Sequence, residues 1–188
     1  MYEMRNSIRD VFYTEDEFED IQANFNGKAE YDNGAIYLSS NTSQKHNIIL
    51  NNINSYLTLY FRGKDCRSYT EQIEVIFKSE NDIKKYKPDI FVMCGNAVKK
   101  GESFLTAPKI IFEILSKSTS IIDKGAKYYS YEKYGVQEYN IVDQNGFIVQ
   151  HTLMDGSYEI TNTFKKGDKY TSSIFTDLTI DVDLIFSE

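Results

Sequence analysis

Two acidic residues interrupt apolar stretches of this chain, and their setting points to metal or phosphate chemistry. Glu113 is the charged residue within Ile110–Leu115, a run that otherwise has the composition of a fully buried strand. Asp89 follows Pro88 and opens a second apolar run, Ile90–Cys94. Removing an ionised carboxylate from water is costly unless a cation or strong donors meet it, so we expect Glu113 to have such a partner. Two carboxylates on interior strands are also typical ligands of a hard cation such as Mg²⁺.

A lysine on the segment after Glu113 is a candidate for that partner. Asp123, Lys127 and Tyr131 follow one another at intervals of four residues, so a helix would place them on one face. The first turns of this helix could return over the end of the strand and bring Lys127 to the carboxylates. Spacing alone favours a simpler surface ion pair between Asp123 and Lys127, which would contribute only a few tenths of a kcal/mol.

The composition indicates one globular domain without the bulk charge of a nucleic-acid-coating protein. The 188 residues carry a formal net charge of -7, which argues against binding through overall positive potential. The stretch 78–133 differs from the rest, because it holds 11 lysines against 7 acidic residues and includes both buried acids. A solvated lysine-rich surface and a phosphate-attracting rim explain this stretch about equally well.

The N-terminus and the lack of a membrane-length apolar stretch predict a cytoplasmic protein, and the cysteines predict free thiols. Residues 1–5 have neither a basic start nor an apolar stretch after them, and no segment approaches the roughly 20 apolar residues that a membrane helix needs. Cys66 and Cys94 lie far apart in sequence without neighbouring metal-ligand residues. We therefore expect two isolated reduced thiols instead of a disulfide or a zinc site.

Capping signals and periodicity predict the elements that must position the acids. Thr14 is an N-cap candidate, and the acidic residues after it favour a short helix over 14–21. The pair Asn33-Gly34 predicts a tight turn between two strands that span 29–38. Apolar residues at helical spacing predict the longest helix, over 43–61.

The rest of the chain predicts a mixed α/β (α+β) fold with additional β-hairpins. Enrichment in Val, Ile and Phe predicts strands within 66–77, 89–94, 110–115 and 136–142. A helix over 118–134, with Gly135 at its end, separates the last two, so we expect a right-handed parallel crossover. Asp155-Gly156 predicts a second hairpin, between 147–153 and 158–164. We therefore expect a central mixed sheet flanked by helices.

An ordered series of motifs resembles one family of nucleases. The series comprises Pro88-Asp89, Ala107-Pro108, the stretch 113–119, Asp123, Lys127, Tyr131, Gly135-Val136 and the stretch 138–143. Residues 30–37, His46 and the closing stretch 174–186 extend the match to nearly the whole chain. This series is similar to that of the Uma-two (Uma2) family, described as "putative restriction endonuclease", a branch of the PD-(D/E)XK nuclease superfamily. The resemblance implies a single nuclease-like domain over 1–188 with a restriction-endonuclease-like core.

The resemblance also assigns roles to the acids. It implies that Asp89 and Glu113 bind the metal ion, with the carbonyl of Ile114 as a further ligand. It implies in addition that Glu30 is another acid that approaches them from the N-terminal region. From its sequence position alone, Glu30 would instead be a charge on the surface of the hairpin.

The remaining site residues are expected on helices. The superfamily's usual lysine lies two residues after the glutamate, where this chain has Leu115, but the Uma-two branch moves it onto the following helix, which nominates Lys127. Asp123 is a supporting residue on that helix, and Ser116 touches the substrate or, as the favoured role, caps the helix. His46 falls where a histidine commonly opens the family's long helix, although such a histidine is more often a surface or capping residue.

The implied activity is metal-dependent hydrolysis of DNA phosphodiester bonds by an endonuclease, with Mg²⁺ or Mn²⁺ as cofactor. DNA would be the partner, membranes would not, and the protein would form a homodimer. One alternative is a non-catalytic nucleic-acid-binding or oligomeric interaction module that keeps the fold and satisfies its acids with Lys127 and backbone donors. Another is a metal-binding hydrolase of a different phosphate ester. The joint presence of Asp89, Glu113 and Lys127 favours the nuclease.

Overall fold

The computed structural model describes residues 12–39, 42–115 and 123–187. Its helices are α1 (Glu15–Asn24), α2 (Gln44–Phe61), α3 (Tyr128–Lys133) and α4 (Val182–Ile185), and a π-helical turn, Asp123–Lys127, leads directly into α3. Its strands are β1 (Lys28–Asp32), β2 (Ala35–Ser39), β3 (Cys66–Thr70), β4 (Val75–Ser79), β5 (Asp82–Tyr86), β6 (Ile90–Cys94), β7 (Lys99–Lys100), β8 (Ser103–Phe104), β9 (Ile110–Leu115), β10 (Glu138–Asp143), β11 (Phe147–Met154), β12 (Ser157–Lys165), β13 (Lys169–Thr171) and β14 (Thr179–Asp181). None of the helices in these ranges is long and apolar enough to cross a membrane.

Two six-stranded sheets form most of the fold. The central sheet has the strand order β12-β11-β10-β9-β6-β3, and the outer sheet has the order β2-β1-β5-β4-β8-β7. In the central sheet β9 and β10 run parallel, whereas the other neighbouring strands are antiparallel. Strands β13 and β14 form a separate pair. The predicted mixed sheet with helices and additional hairpins is therefore confirmed.

The local signals in the first third of the chain produce the predicted elements. Thr14 forms a capping box with Glu17 at the start of α1. Asn33 and Gly34 have φ values of 47° and 95°, the left-handed conformation that the tight turn between β1 and β2 requires. The side chain of Ser43 caps the first turn of α2. These three elements are confirmed, with small shifts at their ends.

Strand alternation decides which face of the central sheet carries the acids. One set of alternate residues in β6 and β9 packs in a buried cluster with α2. The other set, which includes Phe91 and Ile111, packs in a second cluster with Tyr131. Because successive side chains point to opposite faces, Glu113 lies on the same face as Ile111, and Asp89 lies on the side of Phe91. Both acids therefore face the elements that cover the second cluster.

The crossover between β9 and β10 runs through the π-helical turn and α3. The parallel register places Ile110 opposite Glu138. Gly135 has a φ of 81° just after α3, so it ends the helix in the left-handed conformation that its position predicts. The parallel strand order is confirmed. The described part of the helix begins at Asp123, and residues 116–122, where we expected its start, lie outside the described ranges.

The prediction of two isolated reduced thiols is wrong. Cys66 begins β3 and Cys94 ends β6, and the antiparallel register places them opposite each other. Their side chains form a disulfide across a sequence separation of 28 residues. Sequence distance did not indicate this contact, because β4 and β5, which separate the two strands in sequence, belong to the outer sheet.

Another buried carboxylate, Glu138 on β10, connects the C-terminal segment to the central sheet through hydrogen bonds. One of its oxygens accepts hydrogen bonds from the Tyr170 hydroxyl and the Asn140 amide. The other accepts from the Ser172 hydroxyl at 2.8 Å and from the backbone N–H of Ser173 at 2.7 Å. Neutral donors thus compensate for the burial of this group.

Removing one donor to Glu138 should therefore destabilise the fold. We expect Tyr170→Phe to lower the free energy of unfolding by about 1–3 kcal/mol, because the buried carboxylate loses a hydrogen bond that water cannot replace. Urea unfolding followed by circular dichroism measures this loss. The control Tyr129→Phe, at a side chain that is 69% exposed, should cost less than about 0.5 kcal/mol. Equal costs for the two variants would contradict the role given to Glu138.

Candidate active site

The two acids that the sequence singles out lie close together, one just before β6 and one within the neighbouring strand β9. Asp89 directly precedes β6, and Glu113 lies within β9, which pairs antiparallel with β6. Oδ2 of Asp89 accepts a hydrogen bond of 2.8 Å from the backbone N–H of Ile114. Oε2 of Glu113 accepts a longer one, 3.4 Å, from the backbone N–H of Asp89. The structure thus brings the two carboxylates together at one end of the β6–β9 pair.

Lys127 ends the π-helical turn and meets Glu113 inside the protein. Its Nζ lies 3.0 Å from Oε1 of Glu113, and the hydroxyl of Tyr131 donates to the same oxygen at 2.7 Å. The side chains of Lys127 and Glu113 are 2% and 1% exposed. The interpretation of Lys127 as a surface residue is therefore wrong. Glu113 has the cationic partner that its burial requires.

Glu30 approaches the same lysine from the outer sheet. It lies on β1, and its Oε2 is 3.1 Å from Nζ of Lys127. Its Oε1 accepts a hydrogen bond of 2.7 Å from the backbone N–H of Lys87. The residue is buried, so the simpler interpretation of Glu30 as a surface charge of the hairpin is wrong. Its position agrees with an additional acid beside Glu113.

Lys28 completes this group of charges, and we did not identify it from the sequence. Its Nζ lies 2.9 Å from Oδ1 of Asp89 and 4.0 Å from Oε1 of Glu30. Lys28 begins β1, two residues before Glu30, so strand alternation places both side chains on one face. The spacing of two residues could have linked Lys28 to Glu30. It points to Asp89 only once the start of β1 is known to lie near the start of β6.

The five side chains alternate in charge, and we call them the charge chain. In order of contact they are Asp89, Lys28, Glu30, Lys127 and Glu113. Three carboxylates and two ammonium groups leave one net negative charge. Each carboxylate has an ammonium nitrogen within 3.1 Å, and this pairing is what makes its burial tolerable.

His46 binds the second oxygen of Asp89. Its Nε2 lies 3.1 Å from Oδ2, and the residue is buried in the first turn of α2. The alternative interpretation of His46 as a residue on an exposed helix start is therefore wrong, and its role as a supporting site residue stays a prediction. Nδ1 of His46 is buried and has no hydrogen-bond partner among the described residues. The contact of Nε2 with Oδ2 holds the Asp89 carboxylate in one orientation.

The electrostatic setting keeps the site charged. Burial alone would raise the pKa of the Asp89 carboxyl, but the charge of Lys28, the hydrogen bond from His46 and the charge of Lys127 hold it well below its usual range. Burial would likewise lower the pKa of the Lys28 ammonium, but Asp89 and Glu30 hold it above its usual range. Burial, with the neighbouring carboxylates, raises the pKa of the Tyr131 hydroxyl well above its ordinary value. Tyr131 therefore acts as a neutral hydrogen-bond donor.

The donor set fits a hard divalent cation that brings its own water. Among the described residues, no group of three or more His, Cys, Asp or Glu side chains is arranged to hold a metal ion. Mg²⁺ does not require such a group, since it is usually bound by one or two carboxylates together with water and substrate phosphate. Asp89 and Glu113 offer that number of carboxylates. The net negative charge of the charge chain also favours a cation.

The structure gives less information about the other predicted site residues. Ser116 lies outside the described residues, and Asp123 is the first residue of the π-helical turn. Ile114 contributes its backbone N–H to Asp89, and the role of its carbonyl as a metal ligand stays a prediction. His151 lies on β11 and stacks on Tyr139 in an aromatic cluster.

The sequence of this chain matches the model of one protein family. The model of the Uma2 family, described as "Putative restriction endonuclease", matches residues 15–183. The chain belongs to the Uma2 family. The predicted resemblance is therefore confirmed, and membership supports a nuclease-like function for this Uma2 protein.

Two individual proteins resemble this Uma2 protein over most of its length. An uncharacterized protein of Synechocystis sp. is 28% identical over 160 residues, which cover 82% of each chain. A crystal structure from Anabaena variabilis, described as "a putative nuclease belonging to DUF820", has a TM-score of 0.70 at 19% identity. That match covers 91% of the Uma2 protein and 96% of the other chain. It confirms the predicted nuclease-like α/β fold.

The pKa of Asp89 leads to a prediction about stability and pH. Replacing Asp89 with Asn should destabilise the metal-free protein by roughly 3–5 kcal/mol at pH 7, because Lys28 is left without its main partner. The folded-state pKa of Asp89 lies below its unfolded-state value of about 3.9, so its stabilising effect is complete above that pH and is lost as the pH falls below it. Urea unfolding in EDTA between pH 7 and pH 3 should show a difference from the wild type that shrinks at the acid end.

The exposed turn residue Asp155 provides the control for this experiment. Asp155→Asn should unfold like the wild type at each pH, because its carboxylate is solvated. A difference between Asp89→Asn and the wild type that stays constant down to pH 3 would show that ionised Asp89 does not stabilise the fold.

Proposed function

We propose that this Uma2 protein is a metal-dependent endonuclease that hydrolyses DNA phosphodiester bonds, with Asp89, Glu113 and Lys127 as its catalytic residues. The contact of 3.0 Å between Lys127 and Glu113 carries this proposal. Position 115, where the superfamily has its lysine, is a leucine, and a lysine from the crossover helix reaches the glutamate instead. The set of two acids and one lysine is thus complete, although one member comes from a different element.

The two acids have a defined task in this mechanism. The carboxylates of Asp89 and Glu113, with the carbonyl of Ile114, are the groups that would hold Mg²⁺ or Mn²⁺. When bound, such an ion lowers the pKa of a coordinated water and neutralises charge on the scissile phosphate. His46 and the backbone N–H of Ile114 fix Oδ2 of Asp89, so the carboxylate keeps Oδ1 directed at the charge chain.

Lys127 supplies a positive charge that is already in place before the substrate binds. Its ammonium is held between Glu113 and Glu30, at 3.0 Å and 3.1 Å. A fixed point charge of this kind stabilises negative charge that develops on the phosphate oxygens, or orients the attacking water, without reorganisation during the reaction. Tyr131 restrains Glu113 through its hydrogen bond of 2.7 Å.

We take DNA as the substrate because the family is described as a restriction endonuclease. The lysine-rich stretch 78–133, which contains both acids, would help to attract the phosphate backbone. A symmetric homodimer acting in the cytoplasm would allow two sites to address the two strands of a duplex.

A specific observation also favours the alternative of a non-catalytic module. Every carboxylate of the charge chain is paired with a lysine of the same protein, so the buried acids are compensated without a metal ion. A protein that kept the fold only for binding or assembly would show the same pairs. Cleavage and metal binding distinguish this alternative from the nuclease.

The test is cleavage of plasmid and single-stranded DNA with Mg²⁺ or Mn²⁺ at equal concentrations of folded protein. We expect the wild type to cut, and Glu113→Gln and Lys127→Ala to lose activity by at least about a hundredfold. Glu138→Gln is the matched control, because it changes an equally buried glutamate on the neighbouring strand β10 without touching the charge chain. It should cut at nearly the rate of the wild type.

Two results would count against the proposed function. Cleavage by Glu113→Gln at the rate of the wild type would show that this carboxylate has no catalytic role. A wild-type protein that neither cuts DNA nor binds Mn²⁺ would favour the non-catalytic module.

A further inference from the structure

The two oxygens of Asp89 differ in the partners that they already have. Oδ2 accepts hydrogen bonds from Nε2 of His46 at 3.1 Å and from the backbone N–H of Ile114 at 2.8 Å. Oδ1 is bonded, within the described part of the chain, by Lys28 alone, at 2.9 Å. A cation that binds Asp89 must therefore approach Oδ1, the oxygen that the ammonium of Lys28 now contacts.

The ammonium and a divalent cation cannot share this oxygen at low cost. Two positive charges a few ångströms apart repel each other, and they repel more strongly in a buried site than in water. Lys28 and a divalent ion thus compete for Asp89. The net negative charge of the charge chain allows a divalent ion to replace the Lys28 ammonium. The ion brings two positive charges, whereas the departing ammonium takes away one.

The two lysines of the charge chain are not equally able to move. The side chain of Lys127 is 2% exposed and bridges two carboxylates, Glu113 and Glu30. The side chain of Lys28 is 18% exposed and lies at the first residue of β1, where it has one close carboxylate partner in Asp89. Lys28 can therefore turn toward solvent while Lys127 stays in place.

We propose that Lys28 is a placeholder for the divalent cation. Its ammonium neutralises Asp89 in the metal-free protein, leaves Oδ1 when the metal binds, and in this way lowers the affinity of the site for metal. The inference rests on the proposed function for the metal itself, but it concerns Lys28 as a positioning residue that sets the metal affinity.

The test measures Mn²⁺ binding to the full chain without DNA, by isothermal titration calorimetry. In Lys28→Gln the competing charge is absent, while an amide can still donate to Asp89 and keep the site folded. We expect this variant to bind Mn²⁺ about tenfold more tightly than the wild type. Saturating Mn²⁺ should also raise its melting temperature by more than it raises that of the wild type.

Two further variants separate charge from a general loss of structure. Lys28→Arg keeps the charge, so it should bind Mn²⁺ no more tightly than the wild type. Lys85→Gln removes a buried lysine from the same sheet that pairs with Glu19 and Glu15, and it should leave Mn²⁺ affinity unchanged. Circular dichroism establishes that each variant is folded before titration.

The outcomes distinguish this inference from the proposed function. Unchanged or weaker Mn²⁺ binding by folded Lys28→Gln would overturn the placeholder, and metal-dependent cleavage by the wild type would then still support the nuclease. Mn²⁺ binding by Lys28→Gln with little or no binding by the wild type would support the placeholder in its strongest form. No Mn²⁺ binding by any variant would overturn the placeholder together with the metal requirement.

Discussion

The burial of Glu113 within the central sheet is the constraint on which the rest of the site depends. A carboxylate that is 1% exposed needs a cation or strong donors, and Lys127 provides the cation. Because this buried lysine also contacts Glu30, it links the two sheets. The alternating charges then extend through Lys28 to Asp89. Each charge makes its neighbour tolerable, so removing one member leaves part of the burial cost of its direct partners uncompensated.

Four separate segments must meet for this arrangement to form. β9 and the residue before β6 supply the acids, β1 of the outer sheet supplies Lys28 and Glu30, and the π-helical turn supplies Lys127. The same contacts therefore compensate the buried charges and, under the proposed function, hold the catalytic groups. Under the proposed function such a site is preorganised, because two carboxylates already hold the ammonium of Lys127.

Local features of the sequence predict more of this protein than its long-range contacts. The turn at Asn33-Gly34 and the helix after Ser43 follow from backbone preferences and capping, which act within a few residues. The need of Glu113 for a partner follows from burial alone. Neither the role of Lys28 nor the Cys66–Cys94 disulfide was predicted, because both depend on which segments become neighbours in space. Strand neighbours are set by the packing of whole sheets, which no short stretch of sequence encodes.

Anomalous diffraction from a crystal grown with Mn²⁺ tests the central claim most directly, since it locates the ion and the side chains together. The charge chain predicts a manganese peak coordinated by Oδ1 of Asp89 and by the carboxylate of Glu113, with Lys28 turned away and Lys127 still bonded to Glu113. A map without a peak at these carboxylates, or with Lys28 still on Asp89 beside a bound ion, would contradict this account of the site.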